Sequence, residues 1–482
     1  MKIIPQTKNK KGIFFGKNMI VPRTAQDTIP FMEAYDNGLF LVEEDTYTII
    51  FAYDNMDYSL MRDNEQHEIY AKYTKLMNAL PADIKYQEFI MNCKVNPEKL
   101  REILIPQNRQ YGDLYDDYCG MQENLIKEAA DASAEKIMLI AMSYKPETKA
   151  DDVNVLFKYY RELQVFFDLL KINTRQLMPE EVLSVLYQYY HPFDTTEFRL
   201  PQNIFKSGGK IKDYIAPSMF AFKAKEVEVG TAFTRISYMK HYDRDLDDEF
   251  IKDMVDNNFK VTLSKHVKRV DKGDAAEKVR KEILNVQSSV QGRMAKNKKD
   301  GTNFIPFRLE EKLKELEGIQ NQLSSSNMEL FELCVFISVS AETKEDLNEI
   351  TQSLMNKARR HQIKLDVLVR QQEKAMNSIL PFANNKFNGK LGNSISSYLL
   401  SDAISVLVPF SYRSYFSKSG ISYGKNQITN STIILDRTDE MNSNGFILGT
   451  SGSGKSMFSK SEIEDVLFTY PEDEIIVIDP ER

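Results

Sequence analysis

Apolar and polar positions along this chain follow two rhythms, a period near two and a period near 3.6, and they alternate in blocks. Residues 38–42 and 46–51 are apolar runs across an acidic turn and read as a strand pair. Residues 63–80 predict a helix that Pro81 stops, and 85–95 a strand. A helix over 113–131 leads into a strand over 136–144. Leu156, Tyr159, Leu163, Phe166 and Leu170 then repeat at three and four residues, one apolar stripe of a helix. Pro179-Glu180-Glu181 opens another helix, and His191-Pro192 ends it.

Residues 191–218 change character, with Pro192, Pro201, Gly208, Gly209 and Pro217, and mark a boundary. Gly208-Gly209 lies between lysines and reads as a hairpin turn, with anion binding as the sharper alternative. Beyond it the rhythm repeats. Strand 232–242, helix 245–256 and strand 258–267 precede a helix with Ala276, Val279, Ile283, Val286 and Val290 on one face. A second helix carries Leu313, Leu316, Ile319 and Leu323, and the two predict a helical hairpin with a basic tip, 293–299. In 330–339, Phe331, Leu333, Val335, Ile337 and Val339 alternate onto one face of a strand. A helix with Leu347, Ile350, Leu354 and Ala358 and a strand over 364–370 follow.

Both halves run strand, helix, strand, long helical region, strand, helix, without visible sequence identity; an internal duplication is a hypothesis at this point. The expected organisation is an arm (1–35), two α+β subdomains with mixed sheets and long helices (36–200 and 201–410), and the start of an α/β RecA-like P-loop NTPase domain (411–482). In that last part 420–424 and 432–436 read as strands, 445–448 as a short apolar strand, and 474–478 as a buried parallel strand ending in Asp479.

Composition changes this picture little. A chain of 482 residues exceeds one core, and 42% apolar with 28% charged residues describes an ordinary globular protein. The net charge of −7 carries no global nucleic-acid footprint. Cys93, Cys119 and Cys334 form no C-x-x-C and read as thiols of a reducing compartment. The five histidines make no ligand-spaced pair, so no metal site from side chains alone is expected. With no signal peptide or membrane-length apolar run, the expected location is cytoplasmic.

The chemistry concentrates in Gly449-Thr450-Ser451-Gly452-Ser453-Gly454-Lys455-Ser456, which fits G-x-x-x-x-G-K-[ST]. Glycines let backbone N–H groups close around phosphate, and a helix starting at Lys455 turns its positive end toward it. Gly449 to Ser456 and Met457 are therefore the candidate ATP-binding residues, with Lys455 on the β- and γ-phosphates and Ser456 on Mg²⁺. Asp479 reads either as the Mg²⁺-holding acid or as a second-strand acid with another role, and Glu481 either polarises a water or is a solvated loop acid. The acids among 243–249 read as a helix N-terminus rather than a metal site. Tyr412, Tyr415 and Tyr423 read as packing residues, with adenine stacking as the alternative.

Three stretches resemble the conjugative-transfer ATPases of type IV secretion systems (TraC/TrbE/CagE type), in the version found in conjugative elements of Gram-positive bacteria. The first is Gly420-Ile421-Ser422-Tyr423-Gly424 and Thr432-Ile433-Ile434-Leu435-Asp436-Arg437 leading into the glycine loop. The second is 475–482, similar to a "VIDPE" segment. The third is diffuse: Ser326-Asn327, Leu330-Phe331, Gln371-Gln372 and Leu380-Pro381. The resemblance implies a cytoplasmic hexamer, peripherally docked at the inner face of a membrane channel and working with channel proteins and a coupling protein. It would use ATP and Mg²⁺ to power channel assembly and transfer of DNA or protein. In the family the ATPase domain continues well past the phosphate loop, so a fragment or a split subunit is expected here, with hydrolysis by this chain in doubt. Two other functions stand beside it: a DNA-pumping motor of the HerA/FtsK kind, and a non-catalytic docking scaffold for channel proteins.

Overall fold

The computed structural model describes residues 3–4, 13–15 and 19–21 and, from residue 24, all except 57, 59–60, 108, 110, 133, 147–152, 195, 197, 202–209, 243–245, 247, 258, 300–306, 326–327, 388–394, 411–416, 418, 427–431, 440–441 and 479–482. The Gly208-Gly209 turn, Tyr412, Tyr415, Asp479 and Glu481 lie outside the described residues, as does part of the acidic stretch 243–249. At the basic tip 293–299 only the backbone is described.

The strands are β1 (Ile3–Ile4), β2 (Ile13–Phe15), β3 (Met19–Val21), β4 (Glu33–Tyr35), β5 (Leu39–Glu43), β6 (Thr46–Tyr53), β7 (Ile84–Lys94), β8 (Ala134–Tyr144) and β9 (Thr174–Gln176). There follow β10 (Phe220–Phe222), β11 (Val227–Val229), β12 (Ala232–Tyr242), β13 (Lys260–Arg269), β14 (Leu330–Ala341), β15 (Ile363–Val367), β16 (Ser397–Leu400), β17 (Ile421–Lys425) and β18 (Thr432–Leu435). The helices are α1 (Ala25–Thr28), α2 (Asp63–Ala79), α3 (Pro97–Leu104), α4 (Asp113–Ala132), α5 (Asn154–Leu169), α6 (Pro179–Tyr190) and α7 (Lys212–Ile215). The rest are α8 (Glu249–Val255), α9 (Lys272–Lys299), α10 (Phe307–Ser325), α11 (Lys344–Arg360), α12 (Gln372–Ile379), α13 (Ser401–Val406) and α14 (Lys455–Thr469).

The chain is a mixed α/β protein with one large antiparallel sheet. Its fourteen strands run β1-β4-β5-β6-β8-β7-β13-β14-β12-β11-β10, with β9 on β6, β15 on β12 and β16 on β14. The expected mixed sheets are corrected: among the described residues every pairing in this sheet is antiparallel. The physical reason lies in the connections. Helices α3 and α4 join β7 to β8, and α9 and α10 join β13 to β14. A pair of antiparallel helices returns the chain to the end it left, so the next strand runs back beside the first. A parallel neighbour needs a crossover instead.

Each half therefore has the same order. Strands β9, β6, β8 and β7 in the first half match β15, β12, β14 and β13 in the second. The halves meet at β7 and β13, where Met91 pairs with Thr262 and Lys85 with Lys268 at the two ends of the register.

Period-two alternation sends β14's Phe331, Leu333, Val335, Ile337 and Val339 into one core, beside Leu347, Leu354 and Ala358 of α11. Cys334 and Phe336 point into the opposite core with α6 and α12. Both faces of the strand are buried, and each large side chain there contributes about 1.5–3 kcal/mol. On α5 the buried stripe is Leu156, Leu163, Phe167 and Leu170, so Phe167 rather than Phe166 faces inward, four residues after Leu163. On α9 the stripe starts at Ala275 rather than Ala276, and with Leu316 and Ile319 of α10 it forms the core of the expected hairpin.

The seam also buries charge. Lys265 and Glu88 are cross-strand partners, and Lys265 Nζ lies 2.5 Å from Glu88 Oε2 with both side chains inside the protein. The ammonium also donates to Tyr73 Oη (2.9 Å) and to the Leu407 carbonyl (2.6 Å). Glu88 accepts from the Tyr73 and Tyr86 hydroxyls. Burial lowers the Lys265 pKa, and Glu88 works against that shift. Among the described residues no helix is long and apolar enough to cross a membrane.

Candidate phosphate-binding loop

The glycine loop connects the exposed segment 445–448 to α14. Gly454 caps the helix with φ +89°, and Gly452 has φ +77°, backbone that an L side chain adopts only with strain. Gly449 is closely approached by a side chain instead. A Cβ there would stand 2.5 Å from Ser453 Oγ, so a side chain at this position would make the Ser453 hydroxyl swing aside. These local demands explain why the motif's glycines fall where they do.

Lys455 folds back over the loop and donates to the carbonyls of Gly449 and Thr450, both at 2.8 Å. Its ammonium thus occupies the loop's own acceptors. Ser456 and Met457, in the first turn of α14, are exposed, as are Thr450, Ser451 and Ser453. The first turn of α14 holds no acid to oppose an anion. Thr450 accepts from the Ser453 N–H in a tight turn (3.3 Å). All the candidate residues from Gly449 to Met457 are therefore contiguous around one open loop, whereas nothing described places Asp479 or Glu481 against it.

Two expected strands are absent among the described residues. Segments 445–448 and 474–478 have no ladder partners. Most of their apolar side chains stand in solvent, with Phe446 90%, Leu448 91% and Ile478 88% exposed. Composition favours burial, but a strand forms only where a neighbour supplies hydrogen bonds.

Four residues organise the loop's surroundings: Tyr423, Asp436 and Arg437, which lie in the stretch that carries the resemblance, and Glu462, which no sequence signal singled out. Arg437, just after β18, lays its guanidinium 2.9 Å from where a Cβ of Gly445 would be, so the chain entering the loop passes flat against it. The same group pairs with Glu462 of α14 and lies 5.4 Å from the Tyr423 ring centre. Tyr423 donates to Glu462 (3.0 Å). Tyr423 is thus a packing residue tied to α14. Asp436 is buried; hydrogen bonds from Thr438 and Ser419 outweigh its burial and hold its carboxyl below the usual range.

The unit of β17, β18 and α14 docks on the α3–α4 hairpin. Ile434 enters a core with Val95, Leu100, Leu104, Ile126 and Ala129. Phe468, 5% exposed and the one buried side chain described on α14, stacks on Tyr118 (4.4 Å between centroids) and meets Tyr111 and Tyr115 edge-on. Asp465 accepts from Tyr118 Oη (3.0 Å) and Gln122 Nε2 (3.2 Å). Burial pushes its pKa up to about 6, against those two hydrogen bonds. Lys425 adds an ion pair to Glu128 (2.7 Å).

No protein-family model matches the chain, and no curated protein matches it significantly.

Proposed function

We propose that the chain is an ATP-binding subunit of a conjugation or type IV secretion machine, with residues 411–482 belonging to a RecA-like nucleotide domain. The observation that carries nucleotide binding is the loop itself: a left-handed Gly454 opening α14, a Gly449 closely approached by the Ser453 hydroxyl, and Lys455 poised over two loop carbonyls. This donor set suits a polyphosphate. Exposed backbone N–H groups and the helix N-terminus would receive the phosphates, Lys455 would leave its carbonyls for them, and the Ser456 hydroxyl would hold Mg²⁺. Bound Mg-ATP would supply the free energy for conformational work. The assignment to a secretion machine rests on the resemblance of 420–437 and 475–482 to that family's motifs. The same resemblance supports a peripheral position at the inner membrane face, with channel and coupling proteins as partners and a hexamer as the assembly.

The test is titration of the full chain with a fluorescent ATP analogue and Mg²⁺. Micromolar-range binding is expected, weakened about tenfold to a hundredfold by Lys455→Ala, the loss of charge-assisted hydrogen bonds worth about 1.5–3 kcal/mol. A folded wild-type chain that binds no nucleotide, or a Lys455→Ala chain that binds equally well, refutes the assignment.

A further inference from the structure

A second cluster of cations lies on the sheet face that carries the 380–387 segment. Thr48, Ser143, Lys85, Lys268 and Glu332 form one cross-strand row over β6, β8, β7, β13 and β14. The face is identified by Thr48, whose hydroxyl donates to the Phe382 carbonyl (3.0 Å). Lys85 and Lys268 are therefore direct cross-strand partners, their Cβ atoms about 5 Å apart, an arrangement that is unfavourable for like charges.

Two more lysines join them. Lys145 and Lys386 both add to the positive potential at Lys85, and Glu43 opposes it. Glu43 is engaged by Lys386. Glu332 faces Lys268 across β13 and β14. Among the described residues four ammonium groups thus meet two carboxylates, leaving two positive charges unmatched. Among the described residues Lys85, Lys145 and Lys268 make no ion pair within 4 Å. Burial lowers the Lys85 pKa, and its three lysine neighbours lower it further. Lys145 and Lys268 are exposed, so the cluster opens to solvent.

An independent observation points the same way. Ser143 stands beside Lys85 in the row, is 1% exposed, and its Oγ has no hydrogen-bond partner among the described residues. A buried hydroxyl without a partner costs about 1–3 kcal/mol. A bound anion would accept its proton and relieve the lysine repulsion together.

We propose that Lys85, Lys145, Lys268 and Lys386, with the Ser143 hydroxyl, bind a phosphate-type dianion at a site independent of the glycine loop. Two unmatched charges suit a doubly charged oxyanion, and the hydroxyl supplies a directional donor. Free orthophosphate and the phosphomonoester headgroup of phosphatidic acid present the same chemistry.

The experiment uses the full chain carrying Lys455→Ala, which removes the loop's own phosphate contact. Isothermal titration with sodium orthophosphate at constant ionic strength is compared with flotation on phosphatidic acid vesicles, with neutral phosphatidylcholine vesicles as control. Binding is expected in one arm or both: orthophosphate binding assigns the free anion, and binding to the acidic vesicles alone assigns the headgroup. Lys85→Met and Lys268→Met should each weaken it about tenfold. Lys85→Met keeps the apolar stem and should fold; Lys268→Met, at an exposed position, carries the test if it does not. No binding in either arm overturns the proposal, as does binding that both substitutions leave unchanged.

Discussion

Replacing Lys265 by Met isolates the charge at the seam between the two halves of the sheet. Methionine fills the stem's volume but leaves Glu88 inside the protein without its cation, beside the Tyr73 and Tyr86 hydroxyls. It also leaves the Leu407 carbonyl without its 2.6 Å donor. Breaking a buried pair from one side costs about 3–5 kcal/mol, because the remaining charge is uncompensated. Adding Glu88→Gln removes that charge and keeps an acceptor for the tyrosines, so about 1–3 kcal/mol should return. The assay is urea unfolding followed by far-ultraviolet circular dichroism, since the chain has no Trp. Hydrogen exchange at β7 and β13 amides locates the loss at the seam. A Lys265→Met cost under about 1 kcal/mol, or a double variant no more stable than Lys265→Met alone, would refute the pairing as the source of the effect. Such a result would mean that water or rearranged neighbours compensate Glu88 without the lysine.

Other outcomes follow from the same geometry. Asp465 has a raised pKa, so its contribution to docking α14 on α4 is complete below the usual carboxyl range and is lost as pH rises through about 6. Asp465→Asn should therefore slow hydrogen exchange in the last turn of α14 at pH 7 and change little at pH 4; equal effects at both would contradict this. Burial takes His266 down to about 4, with Nε2 held to the Ser378 carbonyl (2.7 Å), so its neutral form stabilises the fold above about pH 6.5 and that contribution fades as pH falls toward 4. A His266→Gln chain should accordingly show a flatter loss of stability across that window in acid titration. Phe468→Ala removes the aromatic anchor and should cost about 3–5 kcal/mol of docking, read as protease sensitivity of α14 with the sheet intact. Gly454→Ala forces a side chain into left-handed backbone and should weaken the helix start by about 1–2 kcal/mol, seen as lower affinity for an ATP analogue.

The local elements were largely legible in the residues, because helix and strand periods are properties of neighbouring positions. The stripe of α5, the alternation of β14 and the α9–α10 hairpin all follow from spacing, with errors of one residue where two apolar side chains adjoin. The candidate loop was legible for the same reason: Gly449, Gly452 and Gly454 answer demands that arise within eight residues. The strand segments 445–448 and 474–478 show the limit of that reasoning, since apolar composition does not supply a hydrogen-bonding neighbour.

By itself, then, the sequence determined where helical and strand periods fall and where a glycine loop opens a helix. Only the tertiary structure decided that the two halves share one antiparallel sheet and that Lys265 faces Glu88 at their seam. It also decided that Asp465 is held by Tyr118, 347 residues away, and that Arg437 lies against Gly445. Hydrophobic periodicity selects a face but not a neighbour. Which strands adjoin, and which charges are buried together, depends on chain crossings that no local spacing records.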